Sequence, residues 1–85
     1  MSDRNTRKYE LRDSSGKTLY IGITNDLERR EAEHRNDGKK FSEMVQIGRA
    51  TTPEAAANWE KEAIQDYKDS HNGHRPRYNK NDSGK

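Results

Sequence analysis

Between Thr18 and His34 the chain passes from a strand-like run straight into a helix-like one, and no other stretch narrows the choice of fold as much. Leu19-Tyr20-Ile21-Gly22-Ile23 is short, apolar and rich in β-branched and aromatic residues, which reads as a strand. Gly22 interrupts that run, where a missing side chain lets a backbone or a ligand come close. Thr24, Asn25 and Asp26 can each cap a helix, and Glu28 and Glu31 follow in the turns where the helix dipole favours negative charge. Leu27, Arg30 and His34 then share one face at i, i+3 and i+7. Leu27 belongs in a core. Arg30 and His34 do not, and that conflict between face and chemistry marks a candidate site.

Upstream, Arg7–Arg12 alternates polar residues with Tyr9 and Leu11, the pattern of a half-buried strand. Asp13-Ser14-Ser15-Gly16-Lys17 is a turn cluster with Gly16 available for positive φ, so residues 7–23 form a β-hairpin. The first helix runs from about Asp26 to Arg35 and stops near Asn36-Asp37-Gly38. Phe41 to Ala50 carries Met44, Val45 and Ile47 in polar company and reads as a third strand. Thr52 as N-cap, Pro53 at N1 and Glu54 in the first turn open a second helix that continues to about Ser70. On it Ala56, Glu60, Ala63 and Tyr67 share a face, flanked by Trp59 and Ile64. Glu60 thus lies mid-stripe, where a carboxylate is costly to bury unless paired or bound to metal. The order is β-β-α-β-α.

Composition bounds the rest. The chain has 85 residues, 26% apolar and 38% charged, with nine Leu, Ile, Val and Phe together, a balance that leans toward disorder. A net charge of only +2 and the clustering of the apolar residues point instead to one folded domain, over 7–80, stabilised by a few kcal/mol. Residues 1–6 and 81–85 read as disordered ends. There is no cysteine, so neither a disulfide nor a thiolate metal site reinforces the fold. No apolar run approaches the ~18 residues of a membrane span, and the N-terminus lacks a signal segment, so a cytoplasmic protein is expected. A pI near 9.0 permits a nucleic-acid partner without demanding one.

Tyr9, ten intervening residues, then Tyr20-Ile21-Gly22, an arginine on the next helix, a glutamate on the following long helix and a late asparagine together resemble the GIY-YIG nucleases. The resemblance spans about Lys8 to Lys80. The YIG triplet is intact, while the GIY triplet is reduced to Arg7-Lys8-Tyr9. It implies an α+β fold, a three-stranded antiparallel sheet flanked by helices, with room for a short final helix. It also implies hydrolysis of DNA phosphodiester bonds with one divalent ion, Mg²⁺ or Mn²⁺. Relatives of this kind include homing endonucleases, the nuclease half of an excision-repair subunit and some restriction enzymes.

Carried over residue by residue, the resemblance makes Glu60 the metal ligand, a hard carboxylate suited to a hard cation that keeps several waters. Arg30 would neutralise charge on the phosphoryl oxygens. Tyr9 would be the base, its phenol lowered by Arg30 and the metal and relieved of its proton by His34. Tyr20 would hold phosphate or water, Asn79 would fix site backbone or a water, and Gly22 would admit the substrate backbone. The repair-subunit branch has a lysine after the YIG glycine, where this chain has Ile23, so Lys17, Lys39 and Lys40 would supply phosphate contacts from loops. His71 and His74 form an H-x₂-H pair with too few further ligands for zinc. They join Arg75, Arg77 and Lys80 as a basic edge facing phosphates.

The residues alone leave plainer readings open. Glu60 could be half-exposed on a rotated helix, Arg30 paired with a nearby glutamate, each tyrosine a sheet residue with a wet hydroxyl, His34 a surface histidine and Asn79 a loop end. The leading function is a metal-dependent endonuclease in repair or in processing branched or damaged DNA, targeted by a protein partner or a homodimer. The alternative is a weakly active or inactive nucleic-acid-binding module on the same fold, and a third, weaker option is a charged protein-interaction adaptor.

Overall fold

The computed structural model describes residues 4–79. The expected disorder of residues 1–3 and 81–85, and Lys80 of the basic edge, lie outside them. Strands β1 (Arg7–Arg12) and β2 (Thr18–Thr24), helix α1 (Leu27–Asn36), strand β3 (Glu43–Gln46) and helix α2 (Pro53–Ser70) follow in the expected order. The sheet is antiparallel, ordered β2-β1-β3, with β1 at its centre. No further helix follows α2 among the described residues, where 71–79 form turns. None of their helices is long and apolar enough to cross a membrane.

The hairpin turn closes on Asp13, whose Oδ1 accepts from the Ser15 and Lys17 amides at 2.9 Å each, while Gly16 takes φ +86°. Across the hairpin Tyr9 stands opposite Gly22 and Leu11 opposite Tyr20, and then the register slips so that Arg12 pairs with Thr18. Leu19 is the extra residue of this bulge. A bulge breaks the strict alternation of faces, so consecutive Leu19 and Tyr20 are both buried with Tyr9, Leu11 and Phe41 in one core.

Three expectations are corrected. The third strand is four residues rather than ten, because Phe41 turns into the core and Gly48 at φ +68° ends the extended run. Thr6, grouped with the polar terminus, is buried and exchanges two backbone hydrogen bonds with Thr51, at 2.9 and 2.8 Å. On α1 the burial is the reverse of what side-chain polarity suggests. His34 is the helix's buried residue and Leu27 is only half-buried.

The ends of both helices follow local chemistry. Asp26 caps α1 by accepting from the Arg29 amide at 3.1 Å, and Thr52 caps α2 by accepting from Ala55 at 3.2 Å, with Pro53 at N1. The buried stripe of α2 is Ala56, Glu60 and Ile64, spaced by four, so the helix is turned slightly from the expected face and Ala63 and Tyr67 fall to its margin. Glu60 stays at the centre.

The segment after α2 returns along the outer edge of β2. The Tyr78 amide donates to the Leu19 carbonyl at 2.8 Å. The Asn79 side chain accepts from the Ile21 amide at 2.8 Å and donates to the Ile21 carbonyl at 3.0 Å. One amide side chain thus does for this residue what a neighbouring strand would do.

Candidate active site

Tyr9 comes from the central strand, Tyr20 from the edge strand beside it, Arg30 and His34 from adjacent turns of α1, and Glu60 from the buried stripe of α2. The register sets the two phenols on one face of the sheet, their ring centroids 6.0 Å apart. The His34 ring meets the Tyr20 ring edge-on at 4.8 Å, and its Nε2 lies 2.7 Å from the Tyr9 hydroxyl. The Arg30 guanidinium hydrogen-bonds both phenols and pairs with Glu33 at 3.0 Å. The charge of Glu60 acts on Tyr20 and raises its phenol, which puts the acid of the long helix within electrostatic reach of that ring.

Burial governs the proton chemistry here. It pushes the Tyr9 phenol well above its ordinary value, helped by Tyr20, and the opposing pull of Arg30 is too small to reverse it. Tyr20 is raised for the same first reason, with Glu60 adding to it and Arg30 opposing. Arg30 and the metal together are expected to lower the Tyr9 phenol; the guanidinium on its own acts in that direction and is outweighed by desolvation. His34 is lowered to about 4 by burial first, then by the positive charges of Lys39 and Arg30, and is neutral at pH 7. For Arg30 burial works against the charge, but the hydrogen bonds it donates to Tyr9 and Glu33 more than offset it.

Two polar atoms, Arg30 Nε and His34 Nδ1, are buried with no hydrogen-bond partner among the described residues. Buried polar groups are rarely left so. At Arg30 the orphan is a donor that would suit an oxygen supplied from outside the chain.

Gly22 explains itself without a ligand. A Cβ there would stand 2.7 Å from the Tyr9 hydroxyl and 2.7 Å from the Tyr20 ring. The room at Gly22 is filled by this chain's own phenols, and the glycine acts by letting Tyr9 lie flat across β2. Asn79 holds the Ile21 backbone, one residue from both Tyr20 and Gly22, and so fixes the strand that carries them.

The proposed cationic contacts do not gather at one place. The Lys39 ammonium lies 5.7 Å from the Tyr20 ring centroid and pairs with Asp37 at 3.4 Å, at the rim of the cluster. Lys40 shares a hollow with Lys39, Asp13, Arg35 and Phe41. Lys17, Arg75 and Arg77 meet His71 and His74 in another, at the C-terminal end of α2. Sequence reasoning missed Tyr67 in that hollow, although its i, i+4 spacing to His71 was there to be read.

A divalent ion can be tested against the donors present. No group of three or more His, Cys, Asp and Glu suited to a metal occurs among the described residues, which excludes a closed, all-protein site there. Glu60 is 3% exposed and is a hard oxygen donor beside the phenols. A single carboxylate completed by waters and a substrate phosphate fits the way Mg²⁺ is commonly held.

Comparison with family models matches residues 8–75 to the GIY-YIG catalytic domain. Neither the curated proteins nor the solved structures yield a match.

Proposed function

The chain belongs to the GIY-YIG catalytic-domain family, a family of nucleases, and from that membership we propose that it is a divalent-metal-dependent endonuclease that hydrolyses DNA phosphodiester bonds. The observation that carries this reading is the contact of Tyr9, Tyr20, Arg30 and His34 from three elements, with the buried Glu60 of a fourth acting on Tyr20. Structural economy gives no reason to bury a carboxylate and an imidazole beside two phenols in so small a domain, with a half-buried guanidinium joining them.

Each group then has a part. Glu60 would hold one Mg²⁺ or Mn²⁺, which when bound supplies positive charge at the phosphoryl oxygens. Arg30 donates from its guanidinium to a non-bridging oxygen and stabilises the charge that grows there. Because burial disfavours the Tyr9 phenolate, the base in this reading is not a standing phenolate. Tyr9 works as a relay, passing its proton to His34 Nε2 across 2.7 Å as it takes one from the attacking water. The relay needs His34 neutral with the hydrogen on Nδ1, and its lowered value of about 4 keeps it neutral. Tyr20 holds the water or the phosphate. Branched or damaged DNA, reached through a protein partner or a homodimer, is the substrate this reading favours.

The second reading, a nucleic-acid-binding module with little turnover, has one observation on its side: burial opposes the charged forms of both Tyr9 and His34. A nicking assay on supercoiled and branched DNA with Mg²⁺ separates the two. The wild type nicks, Glu60→Gln loses roughly 100-fold or more, and Arg30→Ala loses a comparable factor. Equal cleavage by Glu60→Gln would remove the acid from the reaction, and binding without cleavage by the wild type would favour the second reading.

A further inference from the structure

The hollow at the C-terminal end of α2 lies outside the reaction centre and has its own chemistry. It encloses about 440 Å³, within the roughly 300–1,000 Å³ of small-ligand sites. Lys17 reaches it from the hairpin turn, Arg75 and Arg77 from the segment after the helix, and none of its lining residues is acidic. Its wall includes a stacked pair, with the His71 imidazole on the Tyr67 ring at 3.7 Å between centroids and 4° between planes. His71 Nδ1 lies 2.8 Å from the Tyr67 carbonyl oxygen. A carbonyl only accepts, so that nitrogen carries the hydrogen and the ring is pinned in place. His71 is exposed, with one ring face spent on Tyr67.

Three cations beside a fixed aromatic face are the two requirements of single-strand recognition, charge for the phosphates and a platform for the base. A duplex buries its base faces in the stack and has only its backbone to offer such a wall. We infer that this hollow is a binding site for an unpaired nucleotide of a DNA strand, whose base stacks on His71 and whose phosphates meet Lys17, Arg75 and Arg77. Arg77 also lines the adjoining hollow with Lys39, and Lys39 reaches the rim of the Tyr20 cluster. Lys39 and Arg77 thus link the reaction centre to the stacked pair, past Asp37, which lines the same hollow and pairs with Lys39, and a single-stranded tail leaving the cut site would run along that line. The inference rests on the nuclease reading for the identity of the strand, and it adds which form of DNA is preferred.

Fluorescence anisotropy of the full chain without divalent ions tests it, using a blunt duplex and the same duplex with a single-stranded tail. The tailed form binds roughly tenfold more tightly, the size of one base–aromatic stack. His71→Ala loses that preference, and His71→Phe, which keeps a ring and no charge, retains it. Lys17→Ala, on an exposed turn, weakens tailed binding several-fold, so the test stands even if His71→Ala does not fold. Equal affinity of the wild type for both DNAs, equal loss in His71→Phe and His71→Ala, or no effect of Lys17→Ala overturns the site. Nicking of blunt and tailed DNA alike, with no tail preference in binding, would sink this inference and leave the nuclease reading standing. A tail preference without any cleavage would do the reverse.

Discussion

His34 is the residue where polarity and position disagree most. An imidazole that is 3% exposed gives up the water that stabilises its charged form. Its value falls from 6.5 to about 4, so the native state binds fewer protons than the unfolded chain between those limits. Stability from this group is fully present above about pH 6.5 and is lost as pH falls through about 4. In His34→Gln the decline of Tm across that window is shallower than in the wild type. Matching slopes in the two proteins would show that His34 does not titrate as a buried group. Much of this was legible at the level of single residues: a histidine one turn from an arginine, on the face of a leucine, signalled a site. Its direction was not. Hydropathy placed Leu27 inside and His34 outside, whereas the room for His34 comes from two phenols on other elements and from the bare Gly22 that lets them lie together.

At the scale of elements, those governed by local chemistry were readable. The Thr52-Pro53-Glu54 start of α2 and the Asp13 turn satisfy their own backbone groups within a few residues, so sequence neighbours suffice to find them. Elements set by distant partners were not. The Leu19 bulge depends on how β1 pairs, and the shortening of β3 depends on a core that draws in Phe41. Asn79 is the sharpest case, since its role is a pair of hydrogen bonds to a residue 58 positions away. Asn79→Leu removes both. With net contributions of about 1–1.5 kcal/mol each, Tm should fall by roughly 10 °C in a domain of this size, measured by circular dichroism. An unchanged Tm would mean that the edge of β2 needs no such partner.

For the molecule as a whole, α2 packs on β1 and β2 of the single sheet, so whatever binds at Glu60 stabilises helix and sheet together. At ~10 mM Mg²⁺ and an affinity of ~1 mM, mass action adds about 1.4 kcal/mol, which should raise Tm by several degrees. Chelation reverses the gain, and Glu60→Gln abolishes it; an equal rise in that variant would place the ion elsewhere. The return of residues 76–79 along β2 bears on this same unity. The family match stops at residue 75, so a chain clipped there would retain every group assigned to the reaction except the amide of Asn79. Its outermost ribbon would then lie bare, with the hydrogen-bonding groups of Leu19 and Ile21 open to a sister ribbon from a second molecule. The four residues that cover that ribbon would thus decide whether the nuclease stays solitary or zips into aggregates.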